Sequence, residues 1–188
     1  NQTRAWLPDD HHLVERFGIF TIIVLGEAFV KVLDDAQGTS LGFDQILFGA
    51  ILVTGLFALW WLHFSDSAGE LYDLSNNVKP LAWIYGHLLL AVGLVMFGVA
   101  AKKLFGETID YADKAVKEEY RHLLAGSLVY FLAGQAAITY GVDDALTTLS
   151  QRRRVVSYLV AAVVIYVLGI VVTGLTATGF TALLTAVL

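Results

Sequence analysis

Residues 12–31 of the chain read HLVERFGIFTIIVLGEAFVK. A helix of about 20 residues rises ~30 Å, which is the thickness of the hydrocarbon core of a bilayer. The stretch is apolar enough to cross a membrane, yet it keeps the charges of Glu15, Arg16, Glu27 and Lys31. Because an ionisable group inside the bilayer is costly, we expect this helix to pair these charges or to use them.

The composition of the whole chain favours the lipid bilayer as its surroundings. The 188 residues are 57% hydrophobic and 15% charged, with a mean hydropathy of +0.67, whereas about a quarter of a soluble domain is charged. The absence of cysteine excludes disulfides and thiolate metal sites. A net charge of -5 without a Lys/Arg-rich block gives no indication of nucleic-acid binding.

Hydropathy and turn residues divide the chain into further spans. The predicted spans cover about residues 11–33, 44–65, 81–103, 119–141 and 154–174. At about 1.5 Å per residue the apolar tail 175–188 is too short to cross, so we expect a partial sixth span or a packed tail. The charged stretch 106–121 predicts a solvated or interfacial helix before the fourth span. The predicted fold class is therefore all-α: a polytopic transmembrane helical bundle of five spans plus a partial sixth, forming one domain over 1–188.

The basic residues leave the orientation of these spans almost open. With five crossings, six basic residues fall on each side of the membrane. The side of the N-terminus holds Arg4, Arg16, Lys79, Arg152, Arg153 and Arg154, and the opposite side holds Lys31, Lys102, Lys103, Lys114, Lys117 and Arg121. The short loop with three consecutive arginines slightly favours a cytoplasmic N-terminus.

Polar side chains of four spans are predicted to meet near the N-terminal side, because each span reverses the direction of the chain. This predicted cluster consists of Glu15, Arg16, His63, Asp66, His87, Gln135 and Tyr140. Intramembrane carboxylates and histidines are the usual components of proton relays and ion sites. The alternatives are that Glu15 and Arg16 pair with other helices, that His63 bonds at the interface beside its aromatic neighbours, and that His87 bonds a neighbouring helix.

A second polar set falls toward the opposite side of the membrane and consists of Glu27, Lys31 and His122. Arg16 and Glu27 are eleven residues apart, so they share one stripe of the first helix. This geometry is typical of a helix that lines a polar path, and equally of one held to its neighbours by ion pairs. Alternatively, Glu27 and Lys31 form a local pair across four residues.

Signatures of catalysis and metal binding are weak. The chain lacks a nucleophile elbow, a phosphate-binding glycine loop and a His-Glu-x-x-His motif. Glu119 and His122 have the Glu-x-x-His spacing of carboxylate metal sites, but a second copy is missing. We therefore predict no metal and no cofactor, and we favour a function other than catalysis.

Three motifs resemble one family. Residues 12–27 read HLVERFGIFTIIVLGE, residues 60–64 read WWLHF and residues 85–88 read YGHL. In this order they resemble the bacterial low temperature requirement protein A family. The resemblance implies a multi-pass protein of the cell inner membrane and candidate positions at Glu15, Arg16, Glu27 and His87, but it implies no reaction.

Two departures from the family pattern matter. The family usually has Tyr at the position of His63 and places Asp directly after the Phe, whereas here Ser65 intervenes before Asp66. Its members are commonly about twice this length, and their first half has a Glu-x-x-Phe-Asp motif that is absent here. Together with a start that has neither Met nor a signal-peptide pattern, this predicts that the chain is the second half of a longer architecture.

The leading hypothesis is a transporter or channel-like module for a small solute, an ion or a proton. The alternative is a structural or sensory membrane module in which the same charges lock helices together. A third hypothesis, a membrane enzyme acting on lipid, requires a dyad such as His87 with Asp66. The small residues Gly126 and Gly134 are spaced for close helix contact, so we also expect a homo-oligomer.

Overall fold

The computed structural model describes residues 10–34, 42–66, 78–110, 114–142 and 148–188. These described residues form an all-helical bundle in which no strand is present. The helices are α1 (Asp10–Asp34), α2 (Phe43–Asp66), α3 (Val78–Asp110), α4 (Glu118–Gly141), α5 (Thr148–Val171) and α6 (Ala177–Val187). The predicted all-α bundle is thereby confirmed.

Among the described residues, four helices are long and apolar enough to cross a membrane. The crossing segments are Phe43–Ser65, Val78–Ile109, Glu118–Gly141 and Ser150–Val171. The 25-residue α1 has the length of a span, but its charges exclude it from this set, so its crossing stays a prediction. The 11-residue α6 is a shorter apolar helix, as expected for the tail.

The prediction of a solvated helix over 106–121 is wrong. Helix α3 continues to Asp110, and residues 114–117 are not helical. Glu107 is buried, and its Oε1 lies 2.6 Å from Lys117 Nζ in an ion pair. The Val116 amide donates a hydrogen bond to the Leu175 carbonyl oxygen at 3.0 Å. The Lys117–Glu107 ion pair thus ties residues 114–117 to the end of α3, and the backbone hydrogen bond of Val116 ties them to the segment before α6.

The core of the bundle is the close pair of α3 and α4, which pack more extensively than any other described pair. A Cβ atom built on Gly93 would lie 2.6 Å from the Phe131 nitrogen, and one built on Gly134 would lie 2.6 Å from the Gly86 carbonyl oxygen. These glycines allow the two backbones to touch, which is how small residues stabilise helix pairs in lipid.

This packing changes the meaning of the small-residue stripe on α4. Gly134 contacts Gly86 and Leu90 of α3, and Gly126 lies nearest to the Met96 side chain of the same helix. The stripe that motivated a homo-oligomer is thus used inside the chain. The homo-oligomer itself stays a prediction.

The other helices are arranged around this pair. Helix α5 packs on α4, and α1 packs chiefly on α3, where Gly98 lies against Ala28. Helix α6 packs on α2, with Thr185 against Gly55. The Thr176 side chain caps α6 by accepting from the Gly179 amide at 3.3 Å. The bundle therefore presents α1, α2 and α4 to α3 from different sides.

We expect Gly93→Ala to destabilise the protein by about 1–3 kcal/mol, because the added methyl group meets backbone atoms that cannot move independently. Thermal unfolding in detergent measures this as a lower Tm. Gly49→Ala is the matched control, since no atom lies within 4 Å of a Cβ at that position. Equal Tm values for the two variants would contradict the close α3–α4 contact.

Candidate functional site

The structure brings three of the predicted polar residues together between α2, α3 and α4. His63 is 2% exposed, His87 4% and Gln135 0%. His63 Nδ1 lies 3.1 Å from Gln135 Oε1, and the two imidazole rings lie 5.8 Å apart, nearly perpendicular. A buried polar group is costly unless it is hydrogen-bonded, and the His63–Gln135 contact supplies such a bond across two helices. We call these three residues the histidine site.

The partners of the two rings indicate which nitrogen carries the proton. His87 Nδ1 lies 2.8 Å from the Trp83 carbonyl oxygen. Since a carbonyl oxygen can only accept, Nδ1 of His87 donates, and Nε2 is the acceptor of the neutral ring. Likewise, His63 Nδ1 donates to Gln135 Oε1, which makes its Nε2 the acceptor. When neutral, each ring therefore presents Nε2 as an acceptor, which can bind a donor or take up a proton.

Aromatic rings cover the histidine site. Phe17 of α1 lies 4.6 Å from the His87 ring and 5.1 Å, edge to face, from Trp83. Trp83 in turn lies 4.3 Å from His87, and Phe64 lies 4.9 Å from His63. Phe17 belongs to a different helix from the rings that it covers, so a movement of α1 would change access to His87.

The remaining members of the predicted first cluster do not join the site. Glu15 and Arg16 are exposed, and Tyr140 is 44% exposed. The reason is the rotation of α1, which turns Phe17 toward His87 and so directs its two sequence neighbours away from α3. The side chain of Asp66 lies outside the described part of the structure.

The second predicted set is dispersed over the surface. Glu27 Oε1 lies 2.9 Å from Lys31 Nζ, which is the local pair weighed as the alternative. His122 is exposed and lines a cleft of about 490 Å³ with Glu118 and Tyr166, between α4 and α5. Glu27 and His122 therefore occupy different surfaces of the bundle.

The predicted polar path along α1 is not enclosed. Arg16, Phe20, Ile23 and Glu27 are all exposed. Within the described bundle this stripe faces outward, whereas the opposite face of α1 packs on α3 through Phe17 and Ala28.

Two features of the site were missed at the level of sequence. Phe17 and Trp83 were not singled out, although Trp83 precedes His87 by four residues and so lies on the same face of α3. Arg121 was counted among solvated charges, but it is 6% exposed and its Nε donates to the Gly169 carbonyl at 2.7 Å. The lengths of the helices alone could not reveal these contacts between α1, α3, α4 and α5.

The histidine site consists of two imidazoles and an amide. No three His, Cys, Asp or Glu side chains in the described ranges lie close enough together to hold a metal ion. The described partners of the two histidines are an amide and a carbonyl oxygen. Such a site can accept hydrogen bonds, donate them or hold a proton without a fixed countercharge.

Comparison with known proteins gives a match over the whole chain. The family model described as bacterial low temperature requirement A protein matches residues 1–188. An uncharacterised protein of Rhizobium meliloti (strain 1021) is 29% identical over 140 residues, which cover 67% of this chain and 31% of that protein. The chain thus aligns with less than a third of the length of this relative. No solved structure matches the chain.

We expect Gln135→Leu to lower the free energy of unfolding by about 1–3 kcal/mol, because the His63 Nδ1–H would stay buried without its acceptor. Thermal or denaturant unfolding in detergent measures this loss. The double variant His63→Leu/Gln135→Leu should recover part of it, since removing both partners leaves no orphaned donor. Tyr140→Phe is the control on the exposed surface, and an equal loss there would contradict the buried pair.

Proposed function

The chain belongs to the bacterial low temperature requirement A protein family and is a multi-pass membrane protein, and from this premise we propose that it moves a small solute, an ion or a proton across the inner membrane. The observation that supports this proposal is the histidine site, a pair of buried imidazoles between three membrane-crossing helices. Ionisable side chains inside a bundle are costly and are typical of pathways through the membrane.

The geometry suggests how such a pathway would operate. The Nε2 atoms of His63 and His87 accept a proton or a hydrogen bond from the solute, and Gln135 holds the His63 ring in one orientation. Phe17 covers His87 from α1, so a shift of this helix opens or closes the site. Glu15 and Arg16 are exposed beside Phe17 in sequence, and they would meet an arriving solute before the histidines do.

A second candidate function is a structural or sensory module. The polar contacts that favour it join different helices: His63 binds Gln135 across α2 and α4, and Arg121 binds the Gly169 carbonyl across α4 and α5. In this hypothesis the histidines hold the bundle together and pass nothing. The two candidates differ in whether replacing a histidine changes flux or only stability.

We expect His63→Gln and His87→Gln to reduce proton flux in proteoliposomes by about tenfold or more, which corresponds to ~1.4 kcal/mol or more of lost interaction with the proton. Glutamine can replace a hydrogen bond of the imidazole but cannot take up a proton near neutral pH. A pH-sensitive dye trapped inside the vesicles measures the flux after an external pH jump.

The matched control is His122→Gln, because His122 is an exposed histidine of α4 and should leave the flux unchanged. If the wild-type chain passes protons and all three variants do so equally, the histidine site is not the pathway. If the wild-type chain passes none and binds no small solute in a thermal-shift screen, transport is rejected and the structural candidate is favoured.

A further inference from the structure

One face of α1 has the spacing of a helix–helix contact but is uncovered. Residues 16, 20, 23, 27 and 30 follow one another at intervals of four, three, four and three residues, which is the heptad spacing of a coiled-coil seam. Phe20 is 44% exposed, Ile23 64% and Val30 57%. We call these five residues the α1 seam.

The two charges of the seam argue against lipid as its covering. The side chain of Glu27 is 60% exposed, and Arg16 is exposed as well. The two residues are eleven positions apart. They are therefore separated by about 16 Å along the helix axis and by about 20° of rotation around it. A helix of about 30 Å that crosses the bilayer would hold both charges inside the hydrocarbon core, where lipid offers them no countercharge.

We propose that a second copy of this chain covers the α1 seam, with the two α1 helices antiparallel. A two-fold axis between residues 21 and 22 places residue i opposite residue 43 − i of the partner copy. Arg16 of each copy then faces Glu27 of the other, and Phe20 faces Ile23. Two ion pairs form at once around an apolar centre, so the surface is complementary to itself, as a two-fold interface requires.

A parallel arrangement lacks this complementarity. An axis along the membrane normal would place Arg16 against Arg16 and Glu27 against Glu27, and like charges disfavour association. The antiparallel arrangement also keeps the existing Lys31 contact, because a carboxylate accepts several hydrogen bonds. Glu27 would then bind Lys31 of its own chain at 2.9 Å together with Arg16 of the partner copy.

An antiparallel pair in a membrane requires that copies of the chain insert in both orientations. The excess of Lys and Arg on the cytoplasmic side sets the orientation of a membrane protein. The orientation of each copy is therefore measured directly by the labelling experiment below.

Gly26 adds space for close approach beside the seam. It is exposed, and no atom lies within 4 Å of a Cβ built at this position. A second helix can therefore approach the α1 backbone next to Glu27 without a steric clash. The seam faces away from the histidine site, so the pairing neither requires nor excludes the proposed transport.

The chain contains no cysteine, so single-cysteine variants can measure the pairing directly in membranes. Under oxidation, Ile23→Cys should form a homodimer, because the two residues lie about 4.5 Å apart along the axis. Val30→Cys should not, because its copies lie about 25 Å apart in the antiparallel pair. Co-expressed Leu13→Cys and Val30→Cys, carrying different tags, should form a mixed dimer, because residues 13 and 30 face each other in this register. A Val30→Cys homodimer, or no dimer at Ile23→Cys, overturns the proposal.

Charge reversal tests the ion pairs on the Ile23→Cys background. Arg16→Glu alone and Glu27→Arg alone place like charges opposite each other, and each should reduce the cross-linked dimer by about tenfold or more. Co-expression of these two variants should restore a mixed dimer, because every facing pair is then again of opposite charge. Equal Tm values in detergent show that the variants are folded, and undiminished homodimers of either variant contradict the ion pairs.

Labelling measures the orientation itself. Ala115→Cys lies on an exposed, non-helical residue between α3 and α4 and leaves the basic residues unchanged. A membrane-impermeant thiol reagent added to intact cells should label about half of the molecules, because an antiparallel pair contains one copy in each orientation. Labelling of all molecules or of none shows a single orientation and overturns the antiparallel pair.

Discussion

The close approach of α3 and α4 is the contact on which the rest of the described structure depends. It is made possible by glycines, because a Cβ at Gly93 or Gly134 would meet the backbone of the opposite helix at 2.6 Å. Two glycines of this contact, Gly86 and Gly134, directly precede polar residues of the histidine site. Gly86 precedes His87 and Gly134 precedes Gln135, so the contact that joins the helices also brings the polar groups to one depth.

The site is held by hydrogen bonds rather than by charge. In lipid, helices gain little from the hydrophobic effect, and packing and interhelical hydrogen bonds hold them together. The Trp83 carbonyl fixes His87 from within α3, whereas Gln135 fixes His63 from across the bundle. The described hydrogen-bond partners of both rings are neutral groups. The same bonds support both candidate functions, which is why flux and stability must be measured on the same variants.

Helix α1 has two contrasting faces. Its inner face places Phe17 on His87 and Ala28 on Gly98, and its outer face presents Arg16 and Glu27. Glu27 pairs with Lys31 of its own chain, and the proposed antiparallel dimer would add Arg16 of the second copy as a further countercharge. The inner face therefore carries the proposed function of the single chain, and the outer face carries the proposed assembly.

The sequence by itself determined the class of protein, the approximate limits of most described helices, the family and the meeting of His63, His87 and Gln135. These properties depend on hydropathy, helix length and chain reversal, which are one-dimensional and can be read along the chain. The sequence also favoured a homo-oligomer through Gly126 and Gly134, but those glycines pack against α3 of the same chain.

Only the tertiary structure decided how each helix is rotated about its axis. That rotation places Phe17 on the histidine site, leaves Glu15 and Arg16 outside it, and buries Arg121 against α5. It depends on which neighbours a helix packs against, and a periodic pattern cannot reveal this when nearly every face is apolar. The charged stretch 106–121 likewise resembled a separate helix, although Glu107 near the end of α3 and Lys117 before α4 form an ion pair.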